Sequence, residues 1–279
     1  QGGAPTLAGE CPLTLVDYVG ELVASGLPGL RGLGTRALNF QLDSYLHNMV
    51  DRDVPDQGLA VRRPDALRRW MAAYAAASST TANYSQILDA STPGHVDKPA
   101  RATGISYREV LTELMLLDPV PAWLPTGSPL TRLGQTPKHQ LADPALAARL
   151  LGLGADALLE GAGDPLGPQA GGLLGHLFES LATLCLRVPA QACDARITHL
   201  RTRNGDHEVD LMAVRADGKA LAVEVKLGGT ITDRDVRHLV WLRQRLGPSL
   251  LDAIVLTTGP TAYRRRDGIG VVPLGLLGL

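Results

Sequence analysis

Asp210, in Gly-Asp-His-Glu-Val-Asp, and Glu224 with Lys226, in Ala-Val-Glu-Val-Lys, are two carboxylates and an ammonium on segments that a short turn would join as neighbouring strands. Side chains alternate faces along a strand, so Asp210 is expected beside Glu208 and Met212, and Glu224 and Lys226 beside Ala222. The alternate positions are Val209, Leu211 and Ala213 on one strand and Leu221, Val223, Val225 and Leu227 on the other. They make the expected buried face, with the acidic groups pointing away from it. An acid, acid, lysine cluster suits a magnesium-dependent phosphodiesterase. A hard cation such as Mg²⁺ or Mn²⁺ takes oxygen ligands, lowers the pKa of a bound water and stabilises the charge that builds on phosphorus. A lysine beside it positions that water or neutralises the oxyanion. The plainer reading of a Glu-x-Lys strand is a solvated face.

The spacing Asp-x13-Glu-Val-Lys resembles the PD-(D/E)xK motif of restriction-endonuclease-like nucleases, with Asp210, Glu224 and Lys226 in the motif positions. In that superfamily an acidic residue on the first helix often completes the metal site. The resemblance assigns that part to Glu179 in Gly-His-Leu-Phe-Glu-Ser. His176 lies one helical turn earlier and could approach the same place. His207 adjoins Glu208 but alternates onto the face away from Asp210. Arg201 and Arg203 precede Asn204-Gly205, a pair that favours a two-residue hairpin, and either arginine could contact phosphate.

The elements that would position these groups divide the chain near a Gly- and Pro-dense stretch. The expected class is α+β, with a helical, winged-helix-like domain over 1–152, a linker over 153–170, and an α/β restriction-endonuclease-like domain with a central mixed sheet over 171–279. Apolar residues at helical spacing predict helices over 13–25, ended by Gly26, and over 37–53. Pro64 suits a helix start, followed by a core stripe of Leu67, Trp70, Met71 and Tyr74. A segment over 83–88, a turn over 92–99 and a helix over 100–117 precede expected strands at 119–123 and 139–141. This order looks like a winged helix-turn-helix. Its recognition helix would bring Lys98, Arg101 and Arg108 towards phosphate, although Glu109 and Glu113 on the same helix would repel a duplex.

Composition gives 45% hydrophobic and 20% charged residues, as in an ordinary globular protein, with no apolar run long enough for a membrane span and no signal peptide. Cys11, Cys185 and Cys193 have neither C-x-x-C nor zinc spacing and read as reduced thiols of a cytoplasmic protein. The net charge of −1 excludes a uniformly basic nucleic-acid binder. From Ala195 onward, however, thirteen Lys and Arg face nine Asp and Glu. The basic groups gather on a helix over 233–245, which holds Arg237 and Arg243, and on Arg264-Arg265-Arg266. They are read either as phosphate contacts beside the acidic site or as a solvated face.

A wider resemblance follows from motif order. Ser-Gly-Leu-Pro-Gly, the Ser44 to Asp53 run, the Trp70 helix, Leu-Thr-Glu-Leu-Met-Leu-Leu, Pro-Lys-His-Gln-Leu-Ala-Asp-Pro, Leu-Phe-Glu and the two strand motifs succeed one another over residues 10–260. This looks like the C-terminal part of a bacterial and archaeal family of predicted AAA-type ATPases, which carry a winged-helix region and a nuclease-like domain after the ATPase module. No G-x-x-x-x-G-K-[ST] loop is present, so ATP is expected only in a module outside these residues, and that module is an expected partner. Asp53, Lys138 and Asp143 occupy positions the resemblance picks out and are expected to form a domain-joining ion pair. Two functions stand open: Mg²⁺- or Mn²⁺-dependent hydrolysis of nucleic acid, or a non-catalytic nucleic-acid- or protein-binding adaptor coupled to the ATPase. A homo-oligomer is compatible with either.

Overall fold

The computed structural model describes residues 6–92, 99–124, 136–161 and 172–278. Its architecture is mixed α+β, with a helical N-terminal part and a C-terminal seven-stranded open sheet. The chain forms two compact units that interleave in sequence. One takes Gln1–Tyr18, Val120–Pro137 and Leu181–Leu279, and the other takes Val19–Pro119 and Lys138–Ser180. Among the described residues no helix is long and apolar enough to cross a membrane.

The helices follow the sequence periodicity closely. Helix α1 (Leu15–Val23) and α2 (Thr35–Asn48) are succeeded by a π-helical turn (Met49–Asp53) and the short α3 (Val54–Asp56). Proline at the first turn opens α4 (Pro64–Ala76), which buries Leu67, Trp70, Met71 and Tyr74. A reciprocal capping box between Asn83 and Gln86 starts α5 (Tyr84–Ala90), and α6 (Arg101–Glu113) follows. Helices α7 (Pro144–Leu150) and α8 (Ala155–Leu159) complete this set, and α9 (Leu173–Ala192) runs from the helical unit into the sheet unit.

The two strands expected after α6 shorten to isolated bridges. Leu117 pairs with Leu141, supported by the Asp118 N–H on the Gln140 carbonyl at 2.9 Å. Ala122 instead pairs in parallel with His199, whose N–H bonds the Pro121 carbonyl and whose carbonyl takes the Trp123 N–H. Pro119 and Pro121 lack the N–H groups that a longer ladder requires. Lys98, proposed from the sequence as a phosphate contact, lies outside the described residues.

The sheet comprises β1 (Gly9–Glu10), β2 (Ala195–Arg201), β3 (Glu208–Arg215), β4 (Ala220–Lys226), β5 (Leu250–Thr257), β6 (Thr261–Arg264) and β7 (Gly270–Pro273), in the order β1-β6-β7-β5-β4-β3-β2. β2, β3 and β4 pair antiparallel, whereas β4, β5 and β7 are parallel. The crossover from β4 to β5 is helix α10 (Asp233–Leu246), whose Val236, Leu239 and Leu242 pack with Met212, Ala220, Ala222, Ala253 and Val255. Its first turn is tied down by the Asp235 carboxylate, which accepts the Thr232 N–H at 2.8 Å.

The β2–β3 hairpin exists, but its loop is longer than two residues. The Thr202 carbonyl accepts the Gly205 N–H at 2.9 Å, and the Thr202 N–H closes on the His207 carbonyl at 2.9 Å. Gly205 takes φ +75°, and Asn204 carries no positive φ. The Asn-Gly pair therefore serves a turn inside a four-residue loop rather than the primed two-residue turn.

Candidate active site

Asp210, Glu224 and Lys226 come together at the β3–β4 junction. The ladder runs from Leu211↔Val223 to Val214↔Ala220, and the same register carried one step further sets Asp210 against Glu224. There the main-chain pairing gives way to a side chain, since Asp210 Oδ2 accepts the Val225 N–H at 2.9 Å. The Lys226 ammonium donates to Glu224 Oε2 at 3.0 Å and stands 3.9 Å from Asp210 Oδ2. Exposure is graded: the Glu224 side chain is 4% exposed, Asp210 15% and Lys226 36%.

The expected orientation of this cluster needs correction. Met212 and Ala222, its face-mates, are fully buried in the core under α10, while Leu211 and Val223 are equally buried. Both faces are covered, as suits a strand next to a parallel pair flanked by a helix crossover. The acids therefore lie on the α10-covered face rather than on an open one.

A bulge explains a second departure. Thr198 pairs with Met212 and Leu200 with Val209, so one residue, His199, faces two, Asp210 and Leu211. Such a bulge re-aims side chains and ends regular pairing, and bulges are enriched beside active sites. Here it brings Val209 into the same core as Met212. His207 follows Val209 rather than alternating away: its ring stacks on Trp241 of α10 at 3.9 Å and 8°, and its Nδ1 lies 3.3 Å from Nδ1 of His238.

Burial pushes the Glu224 carboxyl well above the usual carboxylate range, the Asp210 charge adds to this, and the Lys226 ammonium opposes it. For Lys226, burial disfavours the charge, but Asp210 and Glu224 outweigh it and raise the pKa. Glu224 Oε1 is buried and receives no hydrogen bond. Two crowded carboxylates with one ammonium leave a net negative charge, which either a proton or a cation would relieve. Oxygen donors of this kind fit Mg²⁺ or Mn²⁺, with water or substrate phosphate completing the shell. Among the described residues no group of three or more His, Cys, Asp or Glu is gathered to hold a metal ion. Asp210 and Glu224 are thus the two residues that would hold it.

Glu179 lies in the helical unit, where its Oε1 accepts from the Lys138 ammonium at 2.9 Å and both side chains are buried. Lys138 does form an ion pair, but with Glu179 rather than with Asp53 or Asp143, and both members belong to one unit. Among the described residues Asp143 forms no such pair. It caps α7 through the Ala145 N–H at 2.8 Å and takes the Ser25 hydroxyl at 2.5 Å and the Gly26 N–H at 2.7 Å. Asp53 lies in the π-helical turn, where with Asp143 it raises the Tyr45 pKa behind the larger effect of burial. The His176 carbonyl accepts from the Ser79 hydroxyl at 2.7 Å within the helical unit.

The basic residues divide between structure and surface. Arg264 grips Asp252 with two bonds of 2.9 Å, and Arg265 bonds Asp267, Asp233 and the Ile231 carbonyl. Arg243 donates to the Asp267 carbonyl at 2.7 Å, so these arginines brace the β6–β7 turn against α10. Arg201 lies 3.8 Å from Glu208, and Arg203 is exposed. Arg108 covers the Tyr84 ring at 4.7 Å, and Arg101 is exposed at the start of α6. Arg237 is exposed except that its Nε donates to His238 Nε2 at 3.0 Å. The sequence reading did not single out His238 and Trp241. The signal was the adjacent apolar pair Leu211-Met212, which breaks strand alternation where the bulge falls. None of the three cysteines is in a disulfide among the described residues, and Cys11 is buried while Cys193 is exposed.

Comparison with known families matches residues 16–157 to a domain of unknown function, DUF8612, and residues 174–277 to a domain of unknown function, DUF4143. The second is a domain typically found in proteins associated with AAA-type ATPases. No curated protein and no solved structure matches the chain.

Proposed function

We propose that this chain, which belongs to the DUF8612 family and ends in a DUF4143 domain, hydrolyses phosphodiester bonds of nucleic acid in a metal-dependent reaction at Asp210, Glu224 and Lys226. The observation that carries the reading is the crowded, buried Glu224 carboxyl with an orphaned oxygen, set against Asp210 and an ammonium that reaches the surface. Asp210 and Glu224 would hold Mg²⁺ or Mn²⁺, which would supply an activated water and charge stabilisation at phosphorus. Asp210 is fixed by its bond from the Val225 N–H, so its second oxygen keeps a constant direction. Lys226 is steered by Glu224 and is exposed enough to meet a phosphate oxygen or the attacking water. The PD-(D/E)xK resemblance and the usual company of DUF4143 domains agree with this reading, and the ATP-dependent step belongs to an AAA-type module that acts with this chain.

The test is cleavage of single-stranded, double-stranded and branched DNA, and of RNA, in Mn²⁺ against EDTA. Cleavage is expected only with metal, is expected to vanish in Glu224→Gln, and should fall about 10²–10³-fold in Lys226→Met. A second reading, a non-catalytic adaptor, is favoured by the engagement of Glu179 with Lys138 and by the two-carboxylate site. It predicts no cleavage with any substrate and binding indifferent to metal.

A further inference from the structure

His207, His238, Arg237 and Trp241 form a hydrogen-bonded and stacked group beside the acidic site. Arginine has five donors and no acceptor, so the bond from Arg237 Nε to His238 Nε2 at 3.0 Å fixes a lone pair on that nitrogen. The single proton of a neutral His238 therefore sits on Nδ1. At 3.3 Å from His207 Nδ1 it is the donor of that contact, which leaves the proton of a neutral His207 on Nε2. The edge-to-face contact of the two rings, 5.5 Å and 86°, and the parallel stack on Trp241 fix the ring planes. Burial first, then the charges of Arg237 and Lys226, lower the His238 pKa, while the Asp210 charge opposes them.

The same two Nδ1 atoms are also spaced like two ligands of one transition-metal ion. Arg237 argues against that use. A metal-bound imidazole donates its other N–H to an acceptor, whereas His238 Nε2 receives a proton donor.

We propose that His207 is a phosphate-binding residue of the Asp210 site, donating its Nε2–H to a non-bridging oxygen of bound nucleic acid, with Arg237 and His238 as positioning residues that fix its tautomer. The inference rests on the nucleic-acid reading of that site. His207 belongs there by place: it precedes Asp210 by three residues, immediately before the bulged strand, is half-exposed, and leans on the helix that covers the site. His238 itself feels both the Asp210 and Lys226 charges. A neutral donor of fixed direction adds a directional bond where Lys226 already supplies charge.

Two measurements on the whole chain test this. The first needs no nucleic acid: ¹⁵N chemical shifts of the histidine rings at neutral pH should show His238 protonated on Nδ1 and His207 on Nε2. In Arg237→Met the His238 preference for Nδ1–H should weaken. The second is fluorescence anisotropy with labelled DNA and RNA oligonucleotides in EDTA, so that cleavage plays no part. His207→Phe keeps a ring on Trp241 but has no donor, and should weaken binding about tenfold or more. His207→Gln restores an N–H at nearly the same reach and should recover most of the loss. Wild-type tautomers opposite to these, or equal binding by wild type and His207→Phe, overturn the inference and leave the nuclease reading standing. Absence of oligonucleotide binding by the wild-type chain overturns both. Zn²⁺ or Ni²⁺ bound through both Nδ1 atoms in the wild type assigns the pair to a metal and also overturns the inference.

Discussion

Lys138, with 1% of its side chain exposed, has almost no water to solvate it, so it holds its charge through Glu179 at 2.9 Å. Removing one member of such a pair takes the ion-pair partner from a buried charge, so Lys138→Met should destabilise the chain by about 3–5 kcal/mol. Adding Glu179→Leu to it should recover much of that loss, as read by denaturant unfolding. A Glu179 essential to catalysis would make the double variant stable but inactive, which separates the two roles. Both residues stood out from the sequence, but their meeting did not, because residues 41 positions apart share no local period. Asp210, Glu224 and Lys226 were legible because strand alternation and a single hairpin bring them together locally. The histidine group was not, since one inserted residue at Asp210 reverses which face His207 takes.

At the scale of elements, the segment from Lys138 to Asp143 buries four polar side chains, Lys138, His139, Gln140 and Asp143, and docks on the loop after α4. The Ser79 N–H bonds the His139 carbonyl at 2.7 Å, the His139 N–H bonds the Thr80 carbonyl at 2.9 Å, and Gln140 donates to the Ser79 hydroxyl at 2.9 Å. His139 Nε2 donates to the Ala82 carbonyl at 2.7 Å, while its Nδ1 is buried without a hydrogen bond between the Tyr74 and Tyr84 rings. Burial is the chief cause that lowers its pKa below 6.5. The neutral form is thus favoured by folding, so its contribution is complete above pH 6.5 and is lost as pH falls towards the lower folded value. Unfolding free energy should therefore decline with acid from that point, and His139→Gln should flatten this part of the profile. Asp143 closes the same run, and Asp143→Ala should cost about 2 kcal/mol or more, since a helix cap and two further bonds disappear together. Helix starts at Pro64 and Asn83 were readable from local chemistry. The collapse of the expected wing strands into bridges was not, because it depends on His199 taking Ala122 as its partner.

Over the whole molecule, the sheet unit is assembled from three separated stretches of chain. β1 pairs with β6 through Gly9↔Ala262, the Cys11 N–H bonds the Pro260 carbonyl at 2.7 Å, and Tyr18 Oη takes the Gly275 N–H at 3.0 Å. A fragment of residues 171–279 would keep the acidic site yet lose β1 and the bridge at His199. It should melt well below the full chain or aggregate through its uncovered β6 edge, and a circular-dichroism melt coinciding with that of the full chain would contradict this. Composition put the expected division at the Gly- and Pro-rich stretch, whereas the two compact units change over at Tyr18, Pro119, Pro137 and Ser180, and the return of the first residues to the last strands has no compositional mark. During synthesis, β1 leaves the ribosome long before β6 exists, and the Tyr18–Gly275 contact closes a separation of 257 residues. Loops of that length are the slow step of folding. The helical segments can gather as they emerge, but the edge of the sheet must wait until β6 and Gly275 have been made, so the nascent chain carries an unpaired β1 until then and depends on its being shielded.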